Sequence, residues 1–311
     1  MIRTVISIAL PVDERLLIQK NVISHGTGKK RICIVTGTHG DELEGQYVCF
    51  QLNQIVQENL DKLNGTIEIY PALNPLGIDS ITRGIPNFDL DMNRIFPGNP
   101  DGTMAERVAY AIFQDLQGAD MVIDIHSSNI FLREIPQVRV NVNTAERLVP
   151  YAKLLNTDFI WVHEAATVLE ATLAHSLNTA GTSTLVVEMG VGMRINHGYG
   201  NRLVTGIFNL MHELGMWSEQ DESHLISRPV VSVADKVSFL NAEASDIFLT
   251  EIRNNIIVDK GEEIGCIVNP LTGEVLQEVT ATVHGLLFTL RAYPVVYQGS
   301  LLARIHQLDE S

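Results

Sequence analysis

Residues 31–45, RICIVTGTHGDELEG, constrain the fold more than any other stretch. Residues 31–36 are a short apolar run rich in Ile and Val, the composition of a strand buried on both faces. Gly37, Thr38, His39 and Gly40 make a turn. From Glu42 onward, Leu43, Tyr47, Val48, Phe50, Leu52 and Ile55 recur at helical spacing, predicting a helix over 42–60. His39 and Glu42 therefore sit where a strand hands over to a helix, at the edge where open α/β sheets bind ligands. A histidine and a glutamate three residues apart can bring an imidazole nitrogen and a carboxylate oxygen to one point. Both are zinc-ligand types. Taken alone, the pair has a plainer reading: a turn histidine and a solvated first-turn glutamate favoured by the helix dipole.

The rest of the chain repeats the alternation. Strands are expected over 4–10, 66–70, 121–125, 158–162 and 184–187, and helices over 103–116 and near 167–179, with a last helix including 203–211. Residues 11–30 are expected to be largely polar loop. Thr103 and Glu106 form a capping box at the start of the second helix. Residues 74–100, with four prolines and three glycines, are too long to be a simple connection and too apolar to be disordered. The fold class predicted is α/β: a mostly parallel or mixed sheet flanked by helices, over 1–222. After Trp217 a polar, acidic linker over 218–227 leads to short Val/Ile/Leu runs with glycine turns and no helical period. That stretch, 223–311, is expected to be a small all-β domain of barrel-sandwich type. It holds an internal repeat, in which Val258, Gly261, Ile264 and Ile267 match Val296, Gly299, Leu302 and Ile305 at identical spacing. The pattern resembles the domains that carry biotin or lipoate, but the predicted hairpin tip, NPLTG over 269–273, has no lysine to modify.

Charge narrows the function. Lys and Arg number 22 against 37 Asp and Glu, a net charge of −15, which argues against nucleic acid or an anionic membrane surface as partner. Cys33, Cys49 and Cys266 are scattered and odd in number, as buried thiols of a reducing compartment are. No signal segment or membrane-length apolar run occurs, so a cytoplasmic location is expected. There is no G-x-S-x-G elbow, no phosphate-binding glycine loop and no C-x-x-C.

Five features occur in order: H39-x-x-E42; Arg83, nine residues after Asn74; Asn93-Arg94 in DLDMNRIFPG; His126 in DIHSS at a strand end; and Glu188 in TLVVEMG at another. Their order and flanks resemble the succinylglutamate desuccinylase/aspartoacylase family, relatives of the zinc carboxypeptidases, over about residues 30–200. One departure is that Arg83 precedes Asn93 by ten residues, more than is usual in the family. A turn inserted over 84–87 accounts for it, because the offset from Asn74 is kept.

The residues and the resemblance give the same expectations. His39, Glu42 and His126 would hold one Zn2+ per chain and leave a position open for water. Glu188 would be the general base. Arg83 would stabilise the developing oxyanion, and Asn93 and Arg94 would hold a substrate carboxylate. Asp124, two residues before His126 on the same strand face, would orient that histidine. Arg133, Arg139, His163, His175, His197 and Tyr199 are further candidates for the substrate pocket, but none has a pattern of its own, and surface or core packing is the expectation for each. The function expected is a zinc-dependent amidohydrolase that removes an acyl group from an N-acyl amino acid or similar small carboxylate. A carboxypeptidase acting on short peptides and a catalytically idle binding module are the alternatives, and homo-oligomerisation is left open.

Overall fold

The computed structural model describes residues 1–86, 88, 90–164, 170–219, 228–233 and 236–309. The expected boundary at 222/223, most of the expected linker and the start of the helix expected near 167 lie outside them.

The centre of the molecule is four parallel strands in the order β4 (Gly65–Tyr70), β3 (Arg31–Thr36), β5 (Met121–Ser127), β8 (Thr184–Gly190). Both faces of these strands are buried, as the near-continuous apolar runs require. Ile32 and Ile34 point to one face, with Ile67, Ile69 and Ile123. The helices α1 (Glu44–Glu58), α4 (Ala145–Ala152) and α6 (His197–Glu213) cover that side through Val48, Leu52, Val56, Leu148, Leu203 and Ile207. Cys33, Val35 and Val122 point to the other face, under α3 (Met104–Leu116) and α5 (Leu173–Thr179). Each fully buried Leu, Ile or Val contributes about 1.5–3 kcal/mol, so these two layers hold the central strands rigidly. The capping box expected at Thr103 and Glu106 is present and starts α3.

Antiparallel strands flank the centre, so the sheet is mixed. On one side lie β2 (Arg15–His25) and β1 (Ile2–Ala9). On the other lies β6 (Leu132–Asn141), beside β8. β7 (Phe159–His163) runs parallel to β6 and β9 (Val230–Val233) parallel to β7. The loop expected over 11–30 is in fact mostly β2. Its inward positions Leu16, Ile18, Lys20 and Val22 alternate correctly, but one of them is a lysine. Lys20 is buried because Glu68 and Asp115 lie 2.9 and 2.7 Å from its Nζ.

Residues 74–100 are partly ordered into α2 (Pro75–Ser80), capped by the Asn74 side chain, and a 3₁₀ turn over Met92–Arg94. Beyond residue 228 every described element is a strand. After β9 these are β10 (Val237–Asn241), β11 (Asp246–Leu249), β12 (Ile256–Val258), β13 (Glu263–Asn269), β14 (Glu274–Thr280), β15 (Gly285–Arg291), β16 (Val295–Val296) and β17 (Leu301–Gln307). The internal repeat is structural. In each copy a strand is followed three residues later by a turn glycine in the left-handed region (Gly261 φ +88°, Gly299 φ +86°), and a second strand begins two residues after it. Val258, Ile264, Ile267, Val296, Leu302 and Ile305 all enter one core. Strands β11, β13, β14 and β16 form a sheet of their own, whereas β15, β17 and β10 continue the large one, with β15 antiparallel to β6. Among the described residues no helix is long and apolar enough to cross a membrane.

Candidate active site

Three strand ends converge. His39 lies in the turn after β3, while His126 in β5 and Glu188 in β8 are register partners on adjacent parallel strands. The first helix begins at Glu44, two residues later than its apolar spacing suggests, so Glu42 stays in the turn. There its carboxylate lies between the two imidazoles, with Oε1 2.8 Å from His39 Nδ1 and Oε2 2.9 Å from His126 Nδ1. One ligand atom from each of the three lies within 4.8 Å of the others, and all three residues are buried.

The far side of each ring is held by an aspartate. His39 Nε2 is 2.9 Å from Asp91 Oδ1. A carboxylate only accepts, so this contact keeps a proton on Nε2, and the proton that Nδ1 shares with Glu42 in the bare protein is the one a metal ion would replace. His126 Nε2 is 3.2 Å from Asp124 Oδ1, ion-pair range but off the hydrogen-bond line. Both rings thus present Nδ1 to one point, as histidine ligands oriented by carboxylates do. Electrostatics agree. Burial pushes Glu42 up, but the two imidazoles outweigh it and hold the carboxyl well below its usual range. Burial pushes both imidazoles down, but the neighbouring carboxylates hold them above their ordinary value. The cluster calls for positive charge at its centre. Protons supply it in the bare protein, and the N,O,N donor set suits zinc as their replacement.

Removing either aspartate's charge tests this arrangement. Asp91→Asn and Asp124→Asn are each expected to weaken zinc affinity about 10- to 100-fold in a competition titration with a chromogenic chelator.

Arg83 reaches the same cluster, with Nη1 3.0 Å from Glu42 Oε1 and Nη2 3.3 Å from Asp91 Oδ2. Its placement follows from local close packing. Gly40 presses so near the Gly77 backbone that a Cβ there would lie 1.9 Å from the Gly77 carbonyl carbon. Gly40 N–H donates to Thr82 O at 3.0 Å, and Asn74 Nδ2 donates to Gly84 O at 3.0 Å. These contacts pin Arg83 beside the His39 turn.

Asn93 and Arg94 line the same cavity. Asn93 Oδ1 accepts from Leu173 N–H at 2.9 Å, and among the described residues no partner is seen for the amide NH₂. Arg94 Nη1 donates to the Asn93 carbonyl at 2.7 Å, fixing the guanidinium beside it. The cavity holds about 430 Å³ and also receives Glu188, Glu134, Arg139, His163, His175 and Arg304, a volume suited to a small substrate. Glu188 retains 15% side-chain exposure, into this space. Burial pushes its carboxyl up to about 7, against the pull of Arg139 and His126.

The eight residues singled out from sequence therefore lie around one cavity. Asp91, Glu134 and Arg304 were missed, and Arg139, His163 and His175 are in the cavity wall rather than in surface or core packing. His197 stacks on Tyr47 with ring centroids 4.7 Å apart, and Tyr199 packs on the core. For Asp91 a signal existed: it stands two residues before Asn93 in an acid-rich run.

A profile of the succinylglutamate desuccinylase/aspartoacylase catalytic domain matches residues 28–214. The chain is 30% identical over 122 residues to an N-alpha-acetyl-L-2,4-diaminobutyric acid deacetylase of Halomonas elongata, a match covering 39% of this chain and 35% of that protein's length. The fold is similar to the product-bound ectoine utilization protein EutE (DoeB) of Ruegeria pomeroyi, with a TM-score of 0.82 at 21% identity over 97% of this chain and 93% of that one. It is also similar to a succinylglutamate desuccinylase/aspartoacylase from Rhodobacter sphaeroides, with a TM-score of 0.79 at 22% identity over 96% and 91%.

Proposed function

Because the chain belongs to the succinylglutamate desuccinylase/aspartoacylase family of amide hydrolases, we propose that it is a zinc-dependent deacylase of N-acyl amino acids or similar small carboxylates. The observation that carries this reading is two imidazoles turning Nδ1 toward one carboxylate, beside a glutamate that is not among the ligands. His39, Glu42 and His126 would hold the ion, which when bound acidifies a water and polarises the scissile carbonyl. Glu188 accepts the water's proton as the carbonyl carbon is attacked, then returns it to the amine as the C–N bond breaks. Arg83, always charged and half-exposed beside the cluster, faces the oxygen on which negative charge develops. The Arg94 guanidinium and the Asn93 amide hold the substrate carboxylate and set the register of the amide.

The pH profile follows from Glu188. A base must be ionised to act, so kcat/KM is expected to fall as pH drops through the carboxyl's pKa, about 7 in the metal-free protein. A bound cation favours the carboxylate and moves that limb lower, so the acidic limb is expected at or below 7.

The direct test is metal analysis with a substrate panel on one sample. The panel comprises N-acetyl, N-succinyl and N-formyl amino acids, Nα-acetyl-L-2,4-diaminobutyrate among them, and dipeptides with a free C-terminus. One zinc per chain with acyl release supports the proposal. Turnover of dipeptides alone would make the protein a carboxypeptidase. Absence of both zinc and turnover would leave a binding module on the hydrolase scaffold.

A further inference from the structure

A ladder of alternating charges runs from the C-terminal strands to Glu188. Arg304 in β17 places Nη1 against Glu134 Oε1 at 2.6 Å. Glu134 in β6 is 1% exposed and accepts from Arg139 Nη2 through both oxygens, at 3.1 and 2.9 Å. Arg139 Nη1 then reaches Glu188 Oε1 at 3.2 Å. We infer that Arg139 is a positioning residue for Glu188, and that Arg304 and Glu134 brace it from behind. The inference rests on the role proposed above for Glu188.

Three observations carry it. Arg139 is the one cation ion-paired with Glu188 among the described residues, with Nη1 3.2 Å from Oε1, while the Glu188 side chain still lines the cavity. The guanidinium is fixed on its other sides, by Glu134 and by the Trp161 ring 5.7 Å away. Arg304 lies 5.4 Å from the same ring, so both arginines are held against one indole. Finally, the β6–β8 pairing shifts register between Glu134 and Gln137. Such irregularities re-aim side chains next to active sites. Here Arg139 pairs across the ladder with Val186 and Gln137 with Glu188, so the arginine reaches the glutamate diagonally rather than head-on. A planar fork gripping two carboxylates restricts both, whereas an ammonium would supply charge with less direction.

The test combines kinetics with a stability cycle. On the panel substrate hydrolysed fastest, Arg139→Met is expected to lower kcat about 100-fold with KM nearly unchanged and zinc content intact, the scale of a misaimed catalytic group. Arg139→Lys should recover part of the loss, and Arg304→Met should lose less than Arg139→Met. Melting temperatures of Arg139→Met, Glu188→Gln and the double variant need no substrate. The Arg139→Met loss is expected to shrink in the Glu188→Gln background, because the part of it that comes from stranding the Glu188 charge is then gone. Unchanged kcat in folded Arg139→Met, or additive melting shifts, would overturn the inference. If Arg139→Met does not fold, Arg139→Lys and Arg304→Met decide: full kcat in both overturns it. Full activity in Glu188→Gln would instead remove the assignment of the base.

Discussion

Replacing Glu188 by glutamine is expected to lower kcat by about 10³-fold, within the range general bases supply, while zinc content and KM stay near wild type. Glutamine keeps the length and volume of the side chain. Its amide oxygen can still accept from Arg139 Nη1, now 3.2 Å from Oε1, so the geometry of the cavity wall is preserved. What is lost is the ability to take a proton. The residual rate should be independent of pH over the wild-type acidic limb, because no titrating base remains, so the fold-loss should shrink as pH falls along that limb. Glu188 is not among the three clustered metal donors, so atomic absorption on the variant separates a lost base from a lost ion. A variant retaining more than about a tenth of wild-type kcat would assign proton transfer elsewhere, since even modest general-base catalysis contributes 10²-fold.

The cluster residues are legible in the sequence because each sits at the end of an apolar strand, where a polar residue stands out. His39 after ICIVT and Glu188 after TLVV announce themselves that way. The two strands that were not legible share one physical cause, which is polar residues pointing into the protein. β2 was hidden by Lys20, an inward lysine neutralised by Glu68 and Asp115. β6 was hidden because Glu134, Gln137 and Arg139 face inward where a strand pattern leads one to expect Val or Ile. Its buried charges are mutually paired, which no spacing rule reports. Asp91 orients His39 only because the 74–100 segment folds back, and that return depends on contacts such as Asn74 to Gly84 and Gly40 to Gly77. The repeat in the C-terminal strands was visible as spacing. That β15 would continue the large sheet beside β6 was not, because register between distant strands is set by packing rather than by either strand alone. This junction brings Arg304 to the cavity, so the C-terminal strands contribute to its wall as well as to its boundary.

Removing the ion should be as damaging as removing the base, but with a different signature. Dialysis of the wild type against a strong chelator is expected to lower activity by more than about 10³-fold, with recovery on adding one equivalent of zinc. The bare protein should remain folded, because His39 and His126 are already braced by Asp91 and Asp124 and can hold protons in place of metal. Zinc at roughly 100 times its dissociation constant should then stabilise the protein by about 2.7 kcal/mol, read as a rise in melting temperature. His126→Ala is expected to abolish activity and that zinc-dependent rise together. It should also cost about 3 kcal/mol or more of intrinsic stability, since Asp124 and Glu42 are left buried without their shared imidazole. The comparison that decides is between the two variants. Glu188→Gln should lose turnover and keep the full zinc-induced shift, whereas His126→Ala should lose both. A His126→Ala protein that still melts higher with zinc would place the ion away from the His39–Glu42–His126 cluster and remove the basis for the proposed chemistry.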